Sequence, residues 1–329
     1  QPAPGRLSAW PAAGVRSRLM TARAREGRRI LLLGRHGQLG FELERTLSTL
    51  GDVIACGRGD CDLADATALA AAIEAARPDL IVNAAAYTAV DAAEDDEALA
   101  IAVNATAPAT LAAEARRLDI GLVHFSTDYV FDGAPAARAD GTRPPYDETQ
   151  PVAPQGAYGR SKLAGEEAIR LSGCAHFIFR TAWVYANRGR NFLNTMERLA
   201  AERDRLSIVD DQIGNPTWAR SLAEATAQIL ALSWAQGSTA ALERVGGTYH
   251  LACAGAASWF QFAHAIFAHW GDEGRPVPQL VPITTPEYPT RAKRPAWSVL
   301  DCKKAYTTFG VQLPAWQAAL ALCLAERPS

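Results

Sequence analysis

"RILLLGRHGQLGFEL" (residues 29–43) decides how the chain is read. Four consecutive apolar residues, Ile30 to Leu33, run straight into three glycines, Gly34, Gly37 and Gly40, and a leucine repeat follows. An uninterrupted apolar run suits a strand buried on both faces. Leu39, Leu43, Leu47 and Leu50 recur at intervals of four, four and three, which puts one apolar stripe along a helix. Between the two, glycines without Cβ atoms permit a tight turn and a close backbone approach to a pyrophosphate, and the helix start offers unpaired N–H groups. A G-x-x-G-x-x-G turn between strand and helix therefore predicts a dinucleotide site, the alternative being an ordinary glycine-rich turn.

The same rhythm continues outward. "DVIA" (52–55), "LIVNAA" (80–85), "IGLVHFS" (120–126) and "HFIFRTAW" (176–183) alternate with Ala/Leu/Glu stretches of helical character, among them Asp91–Leu118. Apolar strands separated by amphipathic helices require a parallel sheet covered on both faces. Past residue 183 the rhythm loosens into "LSIV" (206–209), "GTYHLA" (247–252) and a Pro-rich stretch, 276–295. The predicted architecture is α/β: a Rossmann-like doubly wound parallel sheet over 29–182, which strands near 206–210 and 247–252 rejoin. A smaller, interleaved C-terminal substrate-binding lobe occupies 183–329, and residues 1–28 form a basic, disordered tail.

Composition narrows the function classes. With 49% hydrophobic and 21% charged residues, the chain can bury a large core. Residues 1–29 carry seven Arg against Glu26 alone, a local +6, so the remaining 300 residues hold a balance of −8. That body has no electrostatic footprint for nucleic acid. The basic segment lacks a secretory apolar core, and no stretch is read as a membrane span. Its Arg and Ser content admits an organelle transit peptide, but Arg and Ala pervade the chain and Met20 offers a natural start. Six cysteines without C-x-x-C spacing read as reduced thiols, which fits the cytoplasm. Six histidines without H-E-x-x-H spacing give no case for a catalytic metal.

Three further features carry chemistry. After the second strand, "ACGRGDCDL" offers Arg58 where an acid would hold the ribose 2′-hydroxyl of NAD, and Arg35 sits inside the glycine turn. Guanidinium groups there favour the 2′-phosphate of NADPH, with NADH possible. Asp62 and Leu63 are placed to cover the adenine. "STDYVFDG" (126–133) closes the fourth strand, where ligands of open α/β sheets bind, so Ser126, Thr127 and Tyr129 would face a crevice or else cap a turn. "YGRSK" (158–162) sets Tyr158 four residues before Lys162, on one helical face. With eight Tyr and four Lys, such a pair arises by accident about 0.1 times. An adjacent ammonium would favour the phenolate of Tyr158, and Lys162 could grip the nicotinamide ribose.

Taken together, the glycine turn, the Ser/Thr strand end and Y-x-x-x-K resemble the extended short-chain dehydrogenase/reductase superfamily. Within it, the chain resembles the dTDP-4-dehydrorhamnose reductase family from Arg29 to about Arg327. The likeness is carried by "VNAAAYTAVDAAE" (82–94), "FSTDYVFDG", "YGRSKLAGE", "FRTAWVYA" (179–186), "NFLNTM" (191–196), "DDQIGNPT" (210–217), "YHLA" and "YPTRAKRP" (288–295). The resemblance implies hydride transfer from a nicotinamide to C4 of a dTDP-linked 4-keto sugar, with Thr127, Tyr158 and Lys162 as the catalytic set. It implies cofactor contacts at Gly34, Arg35, Gly37, Gln38, Leu39, Gly40, Arg58, Asp62, Leu63, Ala84, Ala85, Ala86, Tyr87, Asn104, Tyr158 and Lys162. Sugar-nucleotide contacts would fall to Thr88, Val90, Asp128, Tyr129, Trp183, Asn191 and Phe192. A reductase of another nucleotide 4-keto sugar, or a non-catalytic subunit resembling the methionine adenosyltransferase regulatory subunit, are the other readings.

Some reductases of this kind dimerise through Mg²⁺ held by glutamates. Glu42 matches one such position, but Arg220 and Lys303 stand at the other two. Cations cannot ligate Mg²⁺ and would pair with Glu42 instead, so a monomer or a metal-independent dimer is expected.

Overall fold

A computed structural model describes residues 27–234 and 239–326. The tail expected over 1–28 lies almost wholly outside them.

The glycine turn sits where the sequence places it, between β1 (Arg29–Leu33) and α1 (Gln38–Thr46). Next come β2 (Asp52–Cys56), α2 (Ala66–Ala76) and β3 (Leu80–Asn83). The helical span expected from Asp91 begins as a short 3-10 turn, and α3 (Glu97–Ile101) starts only after Asp96, whose carboxylate accepts from the Leu99 amide. A π-helical turn (Ala102–Thr106) leads on into α4 (Ala107–Leu118). Then follow β4 (Gly121–Thr127), α5 (Ala157–Ser172) and β5 (His176–Thr181). The remainder comprises β6 (Val184–Tyr185), α6 (Phe192–Glu202), β7 (Arg205–Val209), β8 (Ile213–Gly214), β9 (Thr217–Trp218), α7 (Ala219–Ser233), α8 (Thr239–Val245), β10 (Gly247–His250), β11 (Ala257–Ser258), α9 (Trp259–Asp272), β12 (Gln279–Ile283), α10 (Lys303–Phe309) and α11 (Trp316–Ala325).

Six parallel strands form one sheet in the order β10-β5-β4-β3-β1-β2. The order reverses between β1 and β3, and a crevice beyond the carboxyl ends opens at such a switch point. Alternation along the strands assigns the two faces. Ile30 and Leu32 pack with Leu39, Leu43 and Leu47 of the α1 side, while Leu31 and Leu33 pack with Leu69, Ile73 and Leu111 of α2 and α4. Each fully buried leucine contributes about 1.5–3 kcal/mol of apolar transfer.

One expectation changes. β10 does rejoin the sheet, beside β5, but β7 does not: it pairs in parallel with β12 as a separate two-stranded sheet. Its residues alternate exposed and buried, a pattern that suits a half-covered sheet rather than one wrapped on both faces. The helical run Glu97–Leu118 also has the length and a mean hydropathy of 1.2 that a membrane span would need. Here its apolar residues, Val103, Leu111 and Ala115 among them, pack against the sheet and neighbouring helices. All six thiols are free.

Candidate active site

The nucleotide-facing half is built from backbone. Gly34 has φ of 92°, and a Cβ there would sit 2.7 Å from the Ala85 nitrogen. At Gly40 a Cβ would overlap the Gly34 carbonyl oxygen, so α1 can lie against the turn only through a glycine. The turn is tied to the second strand, because the Gly34 and Arg35 amides both donate to the Cys56 carbonyl (2.9 and 3.2 Å). Gly37, the N-cap of α1, supplies no side chain to the first-turn amides of Gln38, Leu39 and Gly40. Backbone donors left without a side-chain cap at a positive helix end fit a dinucleotide diphosphate.

The two arginines differ. Arg35 is committed within the protein, to Glu44 at 2.9 Å and to the Ala55 carbonyl at 3.2 Å. Arg58 is 75% exposed and has only a long contact of 3.9 Å with Asp62, which leaves it able to swing onto a ligand. Asp62 accepts from the Ala64 amide, and Leu63 is buried in the core. Across the crevice, Ala84 to Tyr87 lie half-buried where β3 ends, with Thr88 exposed and Val90 half-buried beyond. Asn104, on the π-helical turn, clamps this segment: its Oδ1 accepts from the Tyr87 amide (2.9 Å), and its Nδ2 donates to the Tyr87 carbonyl (3.0 Å) and to Ser161 of α5 (3.1 Å).

β4 and α5 carry the side chains expected to react. Thr127 ends β4 and donates to Asp128 Oδ1 at 3.0 Å, while its oxygen accepts from the Tyr129 amide. Asp128 is buried, and burial pushes its carboxyl up to about 6. Tyr158, in the first turn of α5, stands edge-on to Tyr129 with ring centroids 5.5 Å apart. Burial raises its phenol above the usual range, and the neighbouring Thr127 hydroxyl only partly offsets this.

Here the expectation of a Tyr158 phenolate drawn out by Lys162 is corrected. Lys162 is 1% exposed, and its Nζ donates to the Phe125 carbonyl at 2.6 Å and lies 3.0 Å from His124 Nε2. The amine thus turns to the strand, burial lowers it to about 8, and the phenol keeps its proton.

The side expected to meet the sugar is aromatic. Trp183 holds a left-handed backbone (φ 45°), a conformation costing on the order of 1–3 kcal/mol for a bulky residue, and stacks on Trp259 at 3.4 Å and 3°. Phe192 packs against Trp259 at 4.6 Å. Asn191 is occupied structurally: it caps α6 through the Asn194 amide and donates to Gln38 Oε1 at 2.8 Å, tying α1 to the lobe. Residues that sequence reasoning missed complete the surroundings. Arg294 donates to the Tyr129 hydroxyl (3.3 Å) and to Asp91 (2.6 Å), Trp259 extends the aromatic wall, and Asn83 and His124 lie behind Lys162. "YPTRAKRP" held Arg294 in plain view; the others carry no spacing signal.

Residues 28–328 match the family model described as RmlD substrate binding domain. A dTDP-4-dehydrorhamnose reductase of Burkholderia thailandensis is 47% identical over 302 residues, covering 91% of this chain and 98% of that one. The Escherichia coli K12 protein of the same name is 39% identical, covering 90% and 97%. Among solved structures, the Bacillus anthracis dTDP-4-dehydrorhamnose reductase in complex with NADP superposes with a TM-score of 0.81 at 32% identity, over 91% of this chain and 99% of that one. The chain belongs to the RmlD substrate binding domain family and is an NAD(P)-dependent oxidoreductase of the dTDP-4-dehydrorhamnose reductase type.

Proposed function

We propose that the chain reduces the C4 keto group of dTDP-4-dehydro-L-rhamnose to give dTDP-L-rhamnose, with NADPH as the reductant. The observation that carries this reading is Tyr158: a phenol kept protonated by burial, close to Thr127 at the carboxyl end of β4, beside a turn shaped for a dinucleotide. Reduced nicotinamide supplies the hydride when bound. Tyr158 transfers its proton to the C4 oxygen as the C–O double bond becomes a C–H and O–H pair, and the tyrosinate left behind is reprotonated from solvent. Thr127, turning its hydroxyl proton from Asp128, donates a hydrogen bond to the same oxygen, stabilising charge as it develops there. Trp183, Phe192 and Trp259 present apolar faces to the sugar nucleotide, and Arg294, beside Tyr129, is placed for its phosphates. Arg58 receives the 2′-phosphate of NADPH.

Supplying NADPH with the dTDP-, UDP- and GDP-linked 4-keto-6-deoxy sugars separates the readings. Fast oxidation of NADPH with the dTDP compound, with dTDP-L-rhamnose as product, is expected. Preference for another nucleotide would shift the substrate, and tight binding of nucleotides without turnover would favour a regulatory subunit.

A further inference from the structure

Asn83, His124 and Lys162 form a buried chain of polar side chains beneath the site, each 1% exposed. Their hydrogen-bonding directions constrain one another. The Ala85 amide donates to Asn83 Oδ1 at 3.1 Å, which leaves Asn83 Nδ2 as the donor to His124 Nδ1, also at 3.1 Å. A neutral imidazole that accepts at Nδ1 carries its proton on Nε2. That Nε2 lies 3.0 Å from Lys162 Nζ, and an N–H can donate there only if the nitrogen keeps a lone pair. An ammonium would set donor against donor. Nζ still donates to the Phe125 carbonyl, as an amine can.

We propose that Asn83 and His124 are positioning residues that hold Lys162 toward its neutral amine form in the cofactor-free protein. Charging the lysine requires His124 to move its proton to Nδ1 and the Asn83 amide to turn, which takes its oxygen away from the Ala85 N–H. The charge of Lys162 is thereby coupled to the end of β3, the strand end against which Gly34 closes. Among the described residues, the titratable groups acting on the amine are His124 on β4 and Glu166 on its own helix; Arg180 on β5 pairs with Glu166 through two bonds, of 2.9 and 2.6 Å, and so compensates its charge. Burial acts in the same direction as the relay, lowering both Lys162 and His124. The functional role rests on Lys162 belonging to the reductase site; its charge state does not.

The test uses the cofactor-free protein labelled with 13C-lysine and 15N-histidine, and no turnover. The chain has four lysines, Lys162, Lys293, Lys303 and Lys304, so the spectrum is sparse, and Lys162→Met and His124→Gln identify the two signals. Lys162 should bind its proton about a hundredfold more weakly than the other three, with the His124 Nε2–H tautomer populated wherever the amine is neutral. Asn83→Asp should reverse the relay: its carboxylate accepts from both Ala85 N–H and an Nδ1–H imidazole, so Nε2 becomes an acceptor and Lys162 gains proton affinity by about tenfold or more. Lys162 titrating with the other lysines, or a wild-type His124 protonated on Nδ1 while the amine is neutral, would overturn the proposal. An unchanged tautomer in Asn83→Asp would do so as well. Should that variant not fold, the wild-type titration and tautomer decide alone.

Discussion

The proposed chemistry rests on Tyr158, whose environment favours donation. A phenol held above its usual range by burial stays protonated at neutral pH, which is the form that reduction of a carbonyl needs. Tyr158→Phe should lower kcat by roughly 10²- to 10⁴-fold while leaving NADPH binding near normal, as read by steady-state kinetics and a fluorescence titration. Arg58 and Arg35 were alike in the sequence but are not in the fold. Because Arg35 is already spent on Glu44 and Ala55, Arg58→Ala should weaken NADPH more than NADH and more than Arg35→Ala does; equal losses for both cofactors would contradict this. The Tyr158–Lys162 pair was legible because i and i+4 share a helical face. The direction of the lysine was not, because it is set by a carbonyl and an imidazole on β4, 37 and 38 residues away.

Between elements, the site depends on how closely α5 approaches the π-helical turn. Gly165 lies against the Asn104 carbonyl, and a Cβ there would overlap it. In an exposed helix, Gly to Ala would gain up to about 1 kcal/mol, whereas forcing a methyl into this contact costs about 1–3 kcal/mol. Gly165→Ala should therefore lower the denaturation midpoint and also lower kcat, since α5 carries Tyr158 and Lys162 and Asn104 clamps Tyr87. A stabilised, fully active variant would show that the contact relaxes freely. The five core strands and the α1 stripe could be read from the sequence because both-face burial writes continuous apolar runs and α1 writes a 3.6 period. "LSIV" reads as a strand of the main sheet but pairs with β12: a short alternating strand records that one face is covered, not which strand lies beside it. The π-helical turn left no trace in an Ala-rich stretch that reads as plain helix.

For the molecule as a whole, Glu42 is the informative departure. It is buried and pairs with Arg220 Nε at 3.0 Å, and Arg220 also meets Glu326; Lys303, expected to pair with Glu42 as well, instead stands exposed on α10. Among the described residues no group of three or more His, Cys, Asp or Glu side chains gathers as metal ligands would. A guanidinium already neutralises the carboxylates that a divalent cation would otherwise hold apart from repulsion. Size-exclusion chromatography with light scattering should give the same mass with and without EDTA, and activity should survive chelation; a dimer that dissociates on chelation would refute this. The central claim, hydride transfer to C4 of the dTDP-linked sugar, is tested most directly by tracing the transferred atom. With NADPH deuterated at the transferable position of nicotinamide C4, one deuterium per NADPH consumed should appear at C4 of dTDP-L-rhamnose by NMR. Consumption of NADPH with no deuterium at that carbon, or with deuterium elsewhere in the sugar, would contradict the account.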